Sequence, residues 1–186
     1  MNDNDKFLQK VAESHAALGI SPAYRESTTL DLCPEPEFLV DTEPDYYGRP
    51  QRLTPAACDA WQSMRQAAAE EGVVLHLISA FRSLKYQHDL LRAKIGAGRS
   101  LEEVLQVNAA PGYSQHHTGC AIDIGTENCP ALEQEFEKTA AFQWLVDNAE
   151  SFGFVLSYPP DNPAGIAYEP WHWCFVATIS DPTEQP

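Results

Sequence analysis

Basic residues are scarce in this chain: 12 Lys and Arg stand against 27 Asp and Glu, giving a net charge of −15. A surface that acidic excludes partners that need clustered cations, nucleic acid and anionic membranes above all. Long apolar runs are also missing, and none approaches the roughly 18 residues of a transmembrane helix. The N-terminus, MNDNDKFLQKVAESHAAL, has no basic start and no apolar stretch, so it does not read as a signal peptide. As it stands the sequence points to the cytoplasm, or to the periplasm or cell exterior if a leader has been removed. Cys33, Cys58, Cys120, Cys129 and Cys174 lie far apart, with no CxxC pair. An odd, unpatterned set reads as reduced thiols rather than a disulfide framework. Repeats and low-complexity blocks are absent too, and nothing in the sequence sets an oligomeric state.

What is present suits one globular unit. The chain has 186 residues, 44% of them hydrophobic, enough for a core and one domain with a terminal arm. Helical spacing of Phe7, Leu8, Val11 and Leu18 predicts a helix that ends at Gly19. Residues 20–53 are rich in Pro, Tyr and acids and predict an irregular arm over the domain, placed to cover a cleft. Thr54 and Pro55 predict a helix start, and Gly72 its end. VVLHLIS (Val73–Ser79) predicts a buried strand, and a helix follows over Leu84–Ile95. Ser100 and Glu103 predict a capping box. CAIDI predicts a short strand, Thr139–Ser151 a helix, FVLSY a strand, and WHWCFVAT a final strand ending at Thr178. Helices come first and strands mostly later. The fold class expected is therefore α+β, a small, largely antiparallel sheet with helices packed on it. Residues 1–50 form the N-terminal helix and arm, and 51–186 the single globular domain.

Two segments carry the chemistry. In YSQHHTGCAIDIG, six residues separate His116 from Asp123, and a loop followed by a strand can bring those side chains together. Strand alternation puts Asp123 on one face with the small Ala121, and Cys120, Ile122 and Ile124 on the other. Cys120 is then core rather than ligand. In YEPWHWCF, His172 shares a face with Cys174, while Trp171, Trp173 and Phe175 form an apolar face. Glu169 precedes a proline, which biases it to extended backbone at the strand's rim. Hydrolytic zinc sites use three protein donors and leave one position open for water. A carboxylate outside that shell can take the water's proton. Taken alone, a His near an Asp is equally a hydrogen-bonded pair, and His117 is a loop histidine beside the cleft.

Together, Ser114-x-His116-x-x-Gly119-x-Ala121-x-Asp123 followed by Glu169-x-x-His172-Trp173 resembles the VanY-type zinc D-alanyl-D-alanine carboxypeptidases. These belong to the LAS metallopeptidases, which share a fold with the Hedgehog signalling domain. SAFRSLKYQ is similar to that family's SGYRS-x-x-x-Q segment, and FQWLVDNAESFGFVLSYP and GIAYEPWHW fit it as well. The resemblance covers roughly residues 50–177. It implies one Zn²⁺ held by His116, Asp123 and His172, with Glu169 as general base. Arg82 would stabilise the oxyanion or pair with a substrate carboxylate, a role its planar fork suits. Ser114, Gln87 and Ser83 would place the substrate. The activity implied is removal of the C-terminal D-Ala from peptidoglycan stem peptides or precursors.

Two features depart from the family. Its usual basic residue after His-Trp is Cys174 here, a thiol on the His172 face expected to sit one step too far along the strand to reach the metal. An export signal is not visible, which favours precursors, recycled peptides or free dipeptide as substrates. A VanX-type D-Ala-D-Ala dipeptidase, an L,D-carboxypeptidase and an endopeptidase of the same group are the enzyme alternatives. A zinc module that only binds, like the Hedgehog domain, would need neither Glu169 nor Arg82.

Overall fold

The computed structural model describes residues 3–176. The fold is α+β. Helix α1 (Asp3–Leu18) is followed by a single turn, α2 (Tyr24–Ser27), and by an extended arm. The arm is less irregular than its composition suggests. Its β1 (Val40–Asp41) pairs antiparallel with β2 (Arg52–Leu53). Between them Asp45, fully enclosed, takes hydrogen bonds from Arg49 and Gln51 and from two backbone N–H groups.

Helix α3 (Pro55–Glu70) begins where expected, with Thr54 at the cap position and Pro55 first in the helix. The Thr54 hydroxyl does not cap the helix; it lies 3.6 Å from the Cys120 thiol. Strand β3 spans only His76–Ser79, not the whole Val73–Ser79 stretch. Its partner β4 (Ala121–Gly125) ends opposite His76, so Val73–Leu75 find no ladder to join. Helix α4 (Leu84–Gly96) has Ser83 as its N-cap, and α5 (Leu101–Gln106) carries the complete Ser100–Glu103 capping box. The expected Thr139–Ser151 helix is α6 (Ala140–Asn148) continued by a tighter 3₁₀ turn, Ala149–Phe152. Strand β5 (Phe154–Leu156) and strand β6 (His172–Phe175) complete the sheet. The tail of the expected last strand, residues 177–178, lies outside the described residues.

The main sheet has order β3-β4-β6-β5, antiparallel throughout. One face is apolar. Ile122, Ile124, Phe154 and Trp173 pack against Trp61 and Met64 of α3 and Leu145 of α6. A second core lies on the other side of the cleft, where Val11 and Leu18 of α1 meet Leu84 and Leu91 of α4, Val104 of α5 and Tyr113. All five cysteines are free.

Candidate metal centre and cleft

The polar face of the sheet places three side chains side by side. Asp123 pairs with Ser79 on β3 and with His172 on β6. A bulge between Leu77 and Ser79 shifts the phase of β3, which brings Ser79 onto the Asp123 face. Ser79 then accepts a hydrogen bond from Arg82 Nε at 2.9 Å. His116 arrives from a 3₁₀ turn, Gln115–Thr118, that feeds directly into β4. The exit from that turn is Gly119, at φ +67, where a side chain would meet Leu39 of the arm and the Thr54 backbone. Only glycine fits there without strain.

His116, Asp123 and His172 are all buried, and one donor atom from each lies within 4.8 Å of the others. Asp123 Oδ1 is the hub: His116 Nε2 is 3.3 Å away and His172 Nδ1 is 3.1 Å away. The far side of each ring is already committed. His116 Nδ1 donates to the Ala80 carbonyl at 2.6 Å, and His172 Nε2 to Gln115 Oε1 at 2.9 Å. Those bonds fix the tautomers so that both inner nitrogens present lone pairs to the same point. His116 Nε2 is buried without a hydrogen-bond partner. An orphaned nitrogen aimed at a carboxylate and a second imidazole fits a cation and has little use without one.

Electrostatics favour the ligating protonation states. Burial, reinforced by Arg82, pushes the His116 imidazole down to about 4, so it is neutral at pH 7. Burial opposes ionisation of Asp123, but His116 and the Arg82 guanidinium outweigh it and hold the carboxyl well below the usual carboxylate range. Arg82 Nη2 bonds Asp123 Oδ2, the oxygen turned away from the histidines. Glu169 Oε2 is 3.8 Å from His172 Nδ1. Burial pushes the Glu169 carboxyl up to about 7, with Asp123 adding and His172 and Arg82 opposing.

A cleft of about 890 Å³ opens over these groups. Arg82, Gln87, Ser114, His116, Asp123, Glu169 and His172 all line it. Gln87 is buried, donates to the Ala109 carbonyl at 2.9 Å, and leaves its own carbonyl oxygen unpaired. Ser83 is placed differently: its hydroxyl accepts the Tyr86 N–H as the α4 cap, and it is not among the cleft-lining residues. His117 is not beside the cleft. It is fully buried, accepting the Gly112 N–H and donating to the Arg82 carbonyl at 2.6 Å, and so braces the loop that carries Arg82. Cys120 is only half-buried, and Cys174 lies opposite Ala121 outside the three-donor group. Burial pushes the Cys174 thiol up to about 12, so it stays protonated. Three supporting groups have little sequence signal: Gln115 occupies an unspecified position in the motif, the Ala80 contact is backbone, and the Tyr158 ring lies 4.8 Å from that of His172 across a long loop.

The fold and this centre define an α+β protein with a buried His-Asp-His group that could hold a metal ion, at the floor of an open cleft. The chain belongs to the VanY D-alanyl-D-alanine carboxypeptidase family, whose pattern matches residues 50–178. A D-alanyl-D-alanine carboxypeptidase of Enterococcus faecalis (strain ATCC 700802 / V583) is 27% identical over 146 residues, 73% of this chain and 53% of that protein. The LdcB LD-carboxypeptidase, solved for its peptidoglycan recognition, superposes with a TM-score of 0.69 at 33% identity, covering 76% of this chain and 69% of its own. The vancomycin-resistance D,D-pentapeptidase VanY of a VanB-type cassette, solved as a mutant in complex with Zn(II), gives 0.61 at 26% identity, with coverage of 78% and 83%. The chain spans about half the length of the first curated relatives it matches. No helix among the described residues is long and apolar enough to cross a membrane.

Proposed function

We propose that this protein is a zinc-dependent D,D-carboxypeptidase that removes the terminal D-Ala from peptidoglycan stem peptides or their precursors. The observation that carries the reading is the convergence of His116 Nε2 and His172 Nδ1 on Asp123 Oδ1, with Glu169 beside them. His116, Asp123 and His172 would hold one zinc ion. Zinc supplies a Lewis acid for the scissile carbonyl and lowers the pKa of a bound water to about 7.

The remaining roles fall to the chain's own groups. Glu169, poised near neutrality, takes a proton from the attacking water and passes it to the leaving amine as the peptide C–N bond breaks. Arg82 keeps Asp123 ionised and oriented and lines the cleft, where its remaining N–H groups would stabilise the oxyanion. Gln87 and Ser114 both line the cleft and place the substrate. Residues 1–50 act as an arm on the peptidase domain, and its Tyr47 and Arg49 line the cleft. A single-dipeptide substrate suits this site less well, because the cleft is open and near the top of the usual range of about 300–1,000 Å³. L,D-cleavage is the second reading, favoured by the higher identity and TM-score of LdcB.

The test is a substrate panel on the zinc-loaded full chain: a pentapeptide ending in D-Ala-D-Ala, a tetrapeptide ending in a single D-Ala after an L-centre, and free D-Ala-D-Ala. Release of D-Ala from the first, above the other two, is the expected result. Zinc-loaded protein inert on all three overturns the reading. Glu169→Ala should keep stoichiometric zinc and lose roughly 10²- to 10⁴-fold in kcat.

A further inference from the structure

Arg82 was the expected partner for a substrate carboxylate, yet its Nε and Nη2 are already engaged by Ser79 and Asp123. A carboxypeptidase still needs a cation for the free C-terminus of its substrate, and the cleft is also lined by Arg49, Lys94 and Arg99, of which Arg49 is tied to Asp45 and Arg99 is exposed. Lys94 lies two turns beyond Gln87 on α4, on the same helix face, and both line the cleft. It is half-buried and forms no ion pair with any carboxylate among the described residues, in a chain with 27 acidic side chains. Its Nζ donates to Asn108 Oδ1 at 2.7 Å, and Asn108 Nδ2 in turn donates to the Val104 carbonyl at 2.8 Å. Asn108 is therefore fixed with its oxygen toward Lys94, and the ammonium keeps further N–H donors free for a ligand. Burial and the nearby Arg99 and Arg82 disfavour its charged form, while Glu169 favours it. A partly desolvated cation, pre-aimed by a neutral amide and repelled by two others, gains most from an arriving anion.

We propose that Lys94, held by Asn108, is the specificity residue that binds the free C-terminal carboxylate of the substrate. This rests on the carboxypeptidase reading and adds the group that tells a chain end from an internal peptide. Asn108 acts as a positioning residue, through Lys94.

Binding separates the two ideas. Zinc-loaded Glu169→Ala protein, titrated calorimetrically with N-acetyl-D-Ala-D-Ala and with its C-terminal amide, should prefer the acid by about 10- to 100-fold. Adding Lys94→Met, which keeps the length of the stem, should bring that preference near one, and Lys94→Arg should restore part of it. Zinc stoichiometry and circular dichroism check that each variant is folded. A second arm compares stem peptides that differ only in one side-chain carboxylate upstream of the scissile bond. If Lys94→Met removes discrimination there and not at the C-terminus, the terminal assignment is overturned. An acid preference unchanged by Lys94→Met also overturns it, and turnover by the unmutated protein would then leave the carboxypeptidase reading standing. Discrimination lost with Lys94, in a protein that never turns over, would do the reverse. No binding of either dipeptide overturns both.

Discussion

Two hydrophobic cores flank the cleft, and they hold different kinds of residue in place. The sheet-side core, built from Trp61, Ile122, Ile124, Phe154 and Trp173, lies directly beneath Asp123 and His172. The helix-side core, from Val11, Leu84, Leu91, Val104 and Tyr113, lies beneath Gln87 and Lys94. Two of the three candidate metal donors, Asp123 and His172, thus sit on paired strands whose register is fixed by alternation, His116 sits on the turn that feeds β4, and Gln87 and Lys94, proposed to grip the peptide, sit on a helix. Strand pairing fixes positions to fractions of an ångström, as a metal shell requires. A helix packed on α1 is tied less directly to that register.

The comparison can be broken most sharply at its centre. Asp123→Ala should abolish stoichiometric zinc and leave the Arg82 guanidinium without its buried partner. It should cost on the order of 3 kcal/mol, the low end for such pairs because Arg82 keeps some exposure. Metal analysis and urea unfolding check both effects.

Next come paired core truncations. Trp61→Ala, which also breaks the Trp61–Glu43 hydrogen bond of 2.6 Å, should cost about 3–5 kcal/mol, and Leu91→Ala about 2–5 kcal/mol. The informative contrast is functional. Trp61→Ala should weaken zinc affinity, while Leu91→Ala should raise KM for the peptide and leave zinc affinity nearly intact. Equal effects of both on zinc would erase the distinction between the two cores.

A smaller perturbation addresses how α1 docks. Gly112 has φ +91, and a Cβ there would lie 2.5 Å from a Val11 methyl. Gly112→Ala should therefore destabilise by roughly 1–3 kcal/mol, through backbone strain and overpacking. Val11→Ala in the same chain should recover the packing part and leave the strain, so a double-mutant cycle should show positive coupling.

The mildest effect expected is with pH. His15 of α1 donates to the Pro111 carbonyl at 2.8 Å and is packed against the Tyr24 and Tyr113 rings. Burial lowers its pKa from the usual 6.5. The folded protein therefore disfavours the proton, and this contribution to stability is present above pH 6.5 and lost as the pH falls through the lowered value. His15→Asn should show a smaller drop in Tm between pH 7.5 and 5.5 than the unmutated chain.

Much of the sheet-side region was legible before folding. The alternation in CAIDI and HWCF assigned each residue to its face because a strand's side-chain period is two, and Ile122, Trp173, Asp123 and His172 follow it. The Ser100–Glu103 capping box placed α5 for a similarly local reason. The short β3 was misjudged because strand length depends on a partner, and β4 stops at Gly125. Ser83 and His117 were read from a motif and a doublet, whereas a helix cap and a buried brace are set by what surrounds them.

By itself the sequence determined most of the helices, the faces of Ile122, Asp123, His172 and Trp173 and the candidate donor residue types, since these depend on spacing and local backbone preference. Tertiary structure decided which nitrogen of each histidine faces inward, through the Ala80 carbonyl and Gln115. It committed Arg82 to Asp123 and set Lys94 in the lining of the cleft, hydrogen-bonded to Asn108. Those choices depend on burial and on partners distant in the chain, and no local pattern encodes either.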